Sequence, residues 1–122
     1  MTIERLALGK LGEDLALKKI KKLGYKCIER NYKCPLGEID IIAKQNGCLV
    51  FLEIKTRKGR DTAYAKEAVN RRKMIQISKA ALAYMKENNC SDAKSRFDVV
   101  AVSINREKTE IEIIQNAFDL SF

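Results

Sequence analysis

The chain has 122 residues, 46% of them hydrophobic, and its 24 lysines and arginines against 16 aspartates and glutamates give a formal net charge of +8. This length suits one domain over residues 1–122. No apolar run approaches the ~20 residues of a membrane span, and MTIERLALGK carries charges too early for a signal peptide, so we expect a cytoplasmic protein with no membrane partner. The charge favours a polyanionic partner, chiefly nucleic acid, although a merely soluble basic protein fits it equally well.

Two residue types limit the chemistry. The chain contains no histidine, so catalysis by Ser-His-Asp, Cys-His or histidine-based nuclease mechanisms is excluded, and carboxylates, Lys, Tyr or a metal must carry any reaction. The four cysteines form no CxxC pair, and we interpret them as reduced structural residues: Cys27, Cys34, Cys48 and Cys90.

The first predicted element is an amphipathic helix from residue 3 to about residue 23. Apolar residues recur at helical spacing, at Leu8, Leu11, Leu15, Ala16, Ile20 and Leu23. Gly24 stands where a helix typically stops. Gly9 and Gly12 lie inside the pattern, where each glycine costs up to ~1 kcal/mol relative to alanine. Their spacing indicates that the helix backbone approaches another element closely.

Three strands are predicted next. The segments are Tyr25 to Tyr32, Glu38 to Ala43 and Cys48 to Thr56. Asn46-Gly47 is a strong two-residue hairpin signal between the last two, and it would place Gln45 opposite Cys48.

The rest of the chain predicts a helix from about Tyr64 to Glu87, a buried strand from Phe97 to Ile104 and a last strand from Glu110 to Gln115. The order is therefore α-β-β-β-α-β-β. Helices before and after a central sheet favour an α/β sandwich with mixed strand directions.

The hairpin register predicts a cluster of charges. It places Asp40 opposite Glu53 and Glu38 opposite Lys55, and strand alternation puts all four side chains on one face, with Ile39 on the other. A register slip of one residue would break this alignment.

Two carboxylates this close destabilise a sheet unless they are compensated. A hard divalent cation such as Mg²⁺ supplies that compensation, and Lys55 could then orient a water or offset charge on an attacked phosphate. The alternative is that Asp40 and Glu53 are solvated on an open face and neutralised by Lys55 or nearby arginines. The spacing alone does not decide between them.

Several motifs carry a resemblance. GEID at 37–40 and FLEIKTR at 51–57 resemble the D…(D/E)xK signature of the restriction-endonuclease-like fold, and LGEDLA at 11–16 is similar to the first helix of archaeal Holliday-junction resolvases. More closely, the chain resembles the YraN-like family of uncharacterised, predicted bacterial endonucleases. The matching stretches are GKLGEDLA at 9–16, ERNYK at 29–33, GEIDIIA at 37–43, LVFLEIKTR at 49–57, RFDVVAV at 96–102 and QNAF at 115–118.

This resemblance implies a central five-stranded mixed sheet flanked by helices, and it implies roles for five residues. Asp40 and Glu53 would bind Mg²⁺ or Mn²⁺, with the carbonyl of Ile54 as a further ligand. Lys55 would be the catalytic lysine. Glu13 would be an outer metal or water ligand, although an ordinary helix-surface glutamate is the alternative. Because the resolvases act as dimers, the resemblance also implies a homodimer.

Basic residues follow the charge cluster in two groups, and both are candidates for phosphate contacts. The residues are Arg57, Lys58, Arg60, Arg71, Arg72 and Lys73. A solvated charged face is the alternative for each group. Tyr64 could stack on a base, but packing at the start of a helix is favoured.

These observations predict a divalent-metal-dependent nuclease acting on DNA, branched or otherwise structured. The alternative is a non-catalytic nucleic-acid-binding domain, or an assembly subunit that retains the nuclease fold.

Overall fold

The computed structural model describes residues 2–59 and 69–121. Within them the elements are α1 (Ile3–Lys22), β1 (Lys26–Cys34), β2 (Gly37–Gln45), β3 (Cys48–Lys58), α2 (Arg71–Glu87), β4 (Ser95–Ile104) and β5 (Thr109–Phe118). This confirms the predicted order α-β-β-β-α-β-β. Neither helix is long and apolar enough to cross a membrane, as far as the described residues go.

The strands form one mixed sheet in the order β1-β2-β3-β4-β5. Hairpins join β1 to β2, β2 to β3 and β4 to β5, so these neighbours pair antiparallel. β3 and β4 pair in parallel. A parallel pair needs a long crossover between its strands, and the segment that contains α2 provides it. The predicted mixed five-stranded sheet flanked by helices is thus confirmed.

Each helix covers one face of the sheet. α1 packs on Val50, Leu52 and Val100 through residues that include Ile20, whereas α2 packs on the face that carries Phe51. Alternation along β3 sends successive side chains to opposite cores. A strand buried on both faces needs a continuous apolar run, and this explains the sequence LVFL at 49–52.

The hairpin turn forms as predicted. Asn46 has φ 51° and Gly47 has φ 75°, as a type I′ turn requires, and Gln45 pairs with Cys48. The alternation predicted for β2 is wrong at Ile39, which packs in the core beneath α2 instead of with Ile41. Asn31 of β1, with φ 53°, lies between the β1 partners of these two isoleucines, and this local distortion accompanies the break in alternation.

The prediction for the second helix is wrong at residues 69 and 70. Residues 69 and 70 are not helical, and α2 begins at Arg71, where the Asn70 side chain accepts a hydrogen bond from the Lys73 N–H at 3.0 Å. Asn is a preferred N-cap because its side-chain oxygen satisfies a free N–H of the first turn. Tyr64 and the rest of the predicted stretch through residue 68 lie outside the described residues.

A buried polar network closes the end of the sheet that carries the Asn46-Gly47 turn. Asp98 is fully buried and accepts hydrogen bonds from Tyr25 at 2.8 Å and from Arg96 at 3.0 Å. Gln45 accepts hydrogen bonds from Arg96 and Gln115. Burying a charged pair is tolerable only when its polar atoms are satisfied, as they are here. The RFDVVAV and QNAF motifs thus contribute to stability.

Close approach of α1 to the sheet occurs at one of the two helical glycines. A Cβ on Gly12 would lie 1.9 Å from Oγ1 and 2.8 Å from Cβ of Thr56, whereas a Cβ on Gly9 would meet nothing within 4 Å. The prediction from the glycine spacing is confirmed for Gly12 and wrong for Gly9.

We therefore expect Gly12→Ala to lower the free energy of unfolding by about 1–3 kcal/mol, because Thr56 and the helix must move apart. Gly9→Ala is the matched control, and it should leave stability unchanged or raise it by up to ~1 kcal/mol through helix propensity. Urea denaturation of both variants measures the difference. Equal unfolding free energies would contradict the close contact.

Candidate active site

The Asp40 carboxylate lies where the β2–β3 ladder stops. Pairing runs from Gln45–Cys48 to Ile41–Leu52, one pair short of the predicted opposition of Asp40 and Glu53. Beyond it, the Ile54 N–H donates to Oδ2 of Asp40 at 2.7 Å. In a continued ladder this N–H would reach a backbone carbonyl of β2. The Asp40 carboxylate takes that acceptor's place, which draws it toward the plane of the sheet.

Glu53 lies beside Asp40 and is almost fully buried. Its side chain is 5% exposed, and Oε1 contacts two ammonium groups, Lys55 Nζ at 3.5 Å and Lys73 Nζ at 3.7 Å. Lys55 is two residues along the same strand, as predicted. Lys73 comes from α2; its sequence pattern predicted a phosphate contact, whereas here it contacts a carboxylate.

Both carboxyl groups are difficult to ionise in this environment. Burial raises the pKa of Asp40, and the negative charge of Glu13 raises it further, while the hydrogen bond from Ile54 lowers it. Burial, followed by repulsion from Asp40, raises the pKa of Glu53 to about 7 against the pull of Lys73 and Lys55. The two acids thus repel each other inside the protein, as the sequence analysis anticipated.

Glu13 of α1 faces the same region. Its side chain is 19% exposed and accepts a hydrogen bond from Arg30 of β1 at 3.5 Å, while Arg30 also pairs with Asp14 at 2.9 Å. Gly12 places this turn of α1 against the sheet, and Glu13 follows it directly. No sequence pattern predicted the contact of Arg30 with Glu13, because their distance depends on how α1 packs against β1.

One cavity of about 820 Å³ contains these groups and is lined by both helices and by β1 to β3. Among its lining residues in the described part of the chain, seven are lysines or arginines and four are carboxylates, namely Glu13, Glu38, Asp40 and Glu53. Positive side chains therefore outnumber negative ones around the acidic cluster in this cavity.

Three of the predicted basic residues line the cavity, namely Arg57, Lys58 and Lys73. Arg57 and Lys58 are exposed at the end of β3. Arg71 and Arg72 are exposed in the first turn of α2. Arg60 lies outside the described residues.

The donor set has the chemistry of a magnesium or manganese site. Asp40, Glu53 and the carbonyl of Ile54 offer hard oxygen ligands, and Mg²⁺ is commonly held by one or two carboxylates together with waters and substrate phosphates. Over residues 2–59 and 69–121, no group of three or more His, Cys, Asp or Glu side chains is arranged to hold a metal ion. A two-carboxylate site completed by water and phosphate is the arrangement that these residues fit.

Fold and site together define a mixed five-stranded α/β protein with a partly buried cluster of acids and lysines where its β2–β3 ladder ends. The chain belongs to the uncharacterised protein family UPF0102, which matches residues 12–102. It is 41% identical over 120 residues to a UPF0102 protein of Syntrophotalea carbinolica, covering 98% of both chains. It is 39% identical over 122 residues to one of Geobacter metallireducens, covering all of both. The family resemblance recognised in the sequence motifs is confirmed.

The raised pKa of Glu53 predicts a pH-dependent stability in the absence of metal. Between its ordinary pKa of 4.5 and its folded pKa of about 7, the folded protein binds more protons than the unfolded chain. The free energy of unfolding should therefore fall as the pH rises from about 5 to about 8, by roughly 2 kcal/mol from this group.

Glu53→Gln removes the titrating group at nearly constant shape. Between about pH 5 and about pH 8, the unfolding free energy of the variant minus that of the parent should rise by roughly 2 kcal/mol. Urea denaturation in chelator measures both values. The raised pKa of Glu53 would be contradicted by two results together. The parent would become more stable over this pH range, and the difference in unfolding free energy between parent and variant would stay constant.

Proposed function

We propose that this protein is a divalent-metal-dependent nuclease that hydrolyses phosphodiester bonds in DNA, branched or otherwise structured. The observation that carries the proposal is the pairing of half-buried Asp40 and buried Glu53 with Lys55, in a cavity with more positive than negative side chains. The resemblance to the D…(D/E)xK signature supports the same reaction class.

The cost of the pair argues for a function. Apolar residues in place of buried charges are often as stable or more stable, so burial of two repelling carboxylates is poorly explained by stability. Acids whose pKa is raised by burial and by a like charge are typical of catalytic and metal-binding sites.

Each side chain has a role suited to its position. The Ile54 N–H holds one oxygen of Asp40, so the orientation of that carboxylate is fixed before any ligand binds. The Lys55 ammonium can offset charge that develops on the attacked phosphate or orient the attacking water. Glu13 can accept a hydrogen bond from water in the cavity. A bound Mg²⁺ or Mn²⁺ would polarise the phosphate and acidify a water molecule.

Exposed cations are suited to hold the nucleic-acid backbone. Arg57 and Lys58 line the cavity, Arg71 and Arg72 lie in the first turn of α2, and all four would contact phosphates without reading bases. The homodimer and the cytoplasmic location stay predictions.

A non-catalytic nucleic-acid-binding domain, or an assembly subunit, is the second candidate. The observation that favours it is that the ammonium groups of Lys55 and Lys73 already contact Glu53 and compensate its charge without a metal. It predicts salt-dependent DNA binding without metal-dependent cleavage.

Asp40→Asn tests the proposal. The amide oxygen can still accept from Ile54 while the negative charge is removed, so in chelator the variant should be at least as stable as the parent. In Mg²⁺ or Mn²⁺ at a hundredfold excess over Kd the parent should gain about 2.7 kcal/mol, and the variant should lose most of that gain. It should also lose cleavage of linear, nicked, flap and four-way DNA.

Thermal melts of both proteins, with chelator and with metal, give the four stabilities. If metal leaves the parent unchanged while Asp40→Asn is clearly less stable in chelator, Asp40 is structural. The non-catalytic candidate would then take precedence.

Binding of DNA should be mainly electrostatic, because the mouth of the cavity is lined by exposed lysines and arginines. With about three to six phosphate contacts, log affinity should fall against log salt with a slope of roughly −3 to −5. Fluorescence anisotropy of labelled duplex and four-way DNA measures it, in Ca²⁺ to avoid cleavage. An affinity that is insensitive to salt would remove nucleic acid as the partner.

A further inference from the structure

Lys73 is placed where helix electrostatics disfavour a cation. It is the third residue of α2, and the first turn of that helix carries Arg71, Arg72 and Lys73 with no acidic residue. The N-terminus of a helix carries partial positive charge and favours anions, so three cations there oppose the dipole. The stability of α2 therefore does not account for Lys73.

The contact that favours Lys73 at this position is with Glu53. Its Nζ lies 3.7 Å from Oε1, the same oxygen that Lys55 contacts at 3.5 Å. The two ammonium groups compensate the negative charge of Glu53 without any metal. A divalent cation beside Glu53 would be repelled by both ammonium groups, so its binding favours the departure of one of them.

The two lysines differ in how readily each can move away from Glu53. Lys55 shares β3 with Glu53, two residues away, and its position is fixed by the strand. Lys73 reaches Glu53 from a separate element, α2; both lysines line the cavity, and their exposed fractions are similar, 28% for Lys73 and 26% for Lys55. Lys73, unlike Lys55, also borders a second recess of about 450 Å³ beside the β1–β2 turn.

We propose that Lys73 is an internal counter-ion that occupies the cation's place beside Glu53, and that a divalent metal displaces it toward the substrate phosphate. The inference rests on the proposed metal-dependent function and adds a second lysine to it. Lys73 is then a positioning residue. It supplies the counter-charge to Glu53 in the metal-free protein, and it adds positive charge near the phosphate once metal is bound.

The test compares Lys73→Met with Lys79→Met, which removes the same charge from an exposed position on the same helix. In chelator, Lys73→Met should melt at a lower temperature than both Lys79→Met and the parent. It should also bind Mn²⁺ at least about fivefold more tightly than the parent by titration calorimetry, because the competing ammonium is gone. Lys79→Met should match the parent, and Lys73→Arg, which keeps the charge, should lie near it.

The outcomes separate this inference from the proposed function. If the parent binds Mn²⁺ and Lys73→Met binds it equally or more weakly, displacement is overturned while the metal site stands. If no variant binds Mn²⁺, both proposals fall, and a low melting temperature of Lys73→Met marks Lys73 as structural. Should Lys73→Met be unfolded in chelator, Lys73→Gln, which can donate an amide hydrogen bond to Glu53, serves in the same Mn²⁺ titration.

Discussion

The register of the β2–β3 hairpin is the constraint on which the rest of the molecule depends. Asn46 and Gly47 adopt positive φ, and this turn pairs Gln45 with Cys48. Every side chain of β3 is then assigned to one of the two cores or to the cavity. A shift of one residue would turn Phe51 toward α1 and draw Glu53 away from Lys73 on α2. Turn chemistry, hydrophobic packing and the charge cluster therefore all require the same register.

The site exists because the sheet departs from regularity at its other end. The ladder ends at Ile41–Leu52, and the alternation of β2 breaks between Ile39 and Ile41. In a continued ladder the Ile54 N–H would donate to a backbone carbonyl of β2. Here it donates to the Asp40 carboxylate and orients it. α1 closes the arrangement, because contact at Gly12 brings Glu13 over the cavity while the turns before Gly12 are largely exposed. The irregular backbone of β2, the contact at Gly12 and the burial of Glu53 together form the site.

Local patterns were sufficient for most of the fold. Hydrophobic periodicity and the Asn46-Gly47 turn predicted the strands, the sheet class and the association of Asp40, Glu53 and Lys55. The contact of Lys73 with Glu53 could not be predicted, because it depends on the path between β3 and α2 and on how α2 sits on the sheet. The same holds for Arg30 and Glu13. The start of α2 was missed because the apolar pattern extended backward past Asn70, whose capping preference was the better signal.

The parallel pairing of β3 with β4 has a consequence for the order in which the chain assembles. The β2–β3 hairpin needs only contacts between residues close in sequence and can form early, whereas β4 joins β3 only after the crossover through α2 is complete. In this order of assembly the two acids would come together while still in water, where their repulsion is weak. They would be desolvated only when the helices pack over them, so formation of the hairpin would precede the step that makes its charges costly.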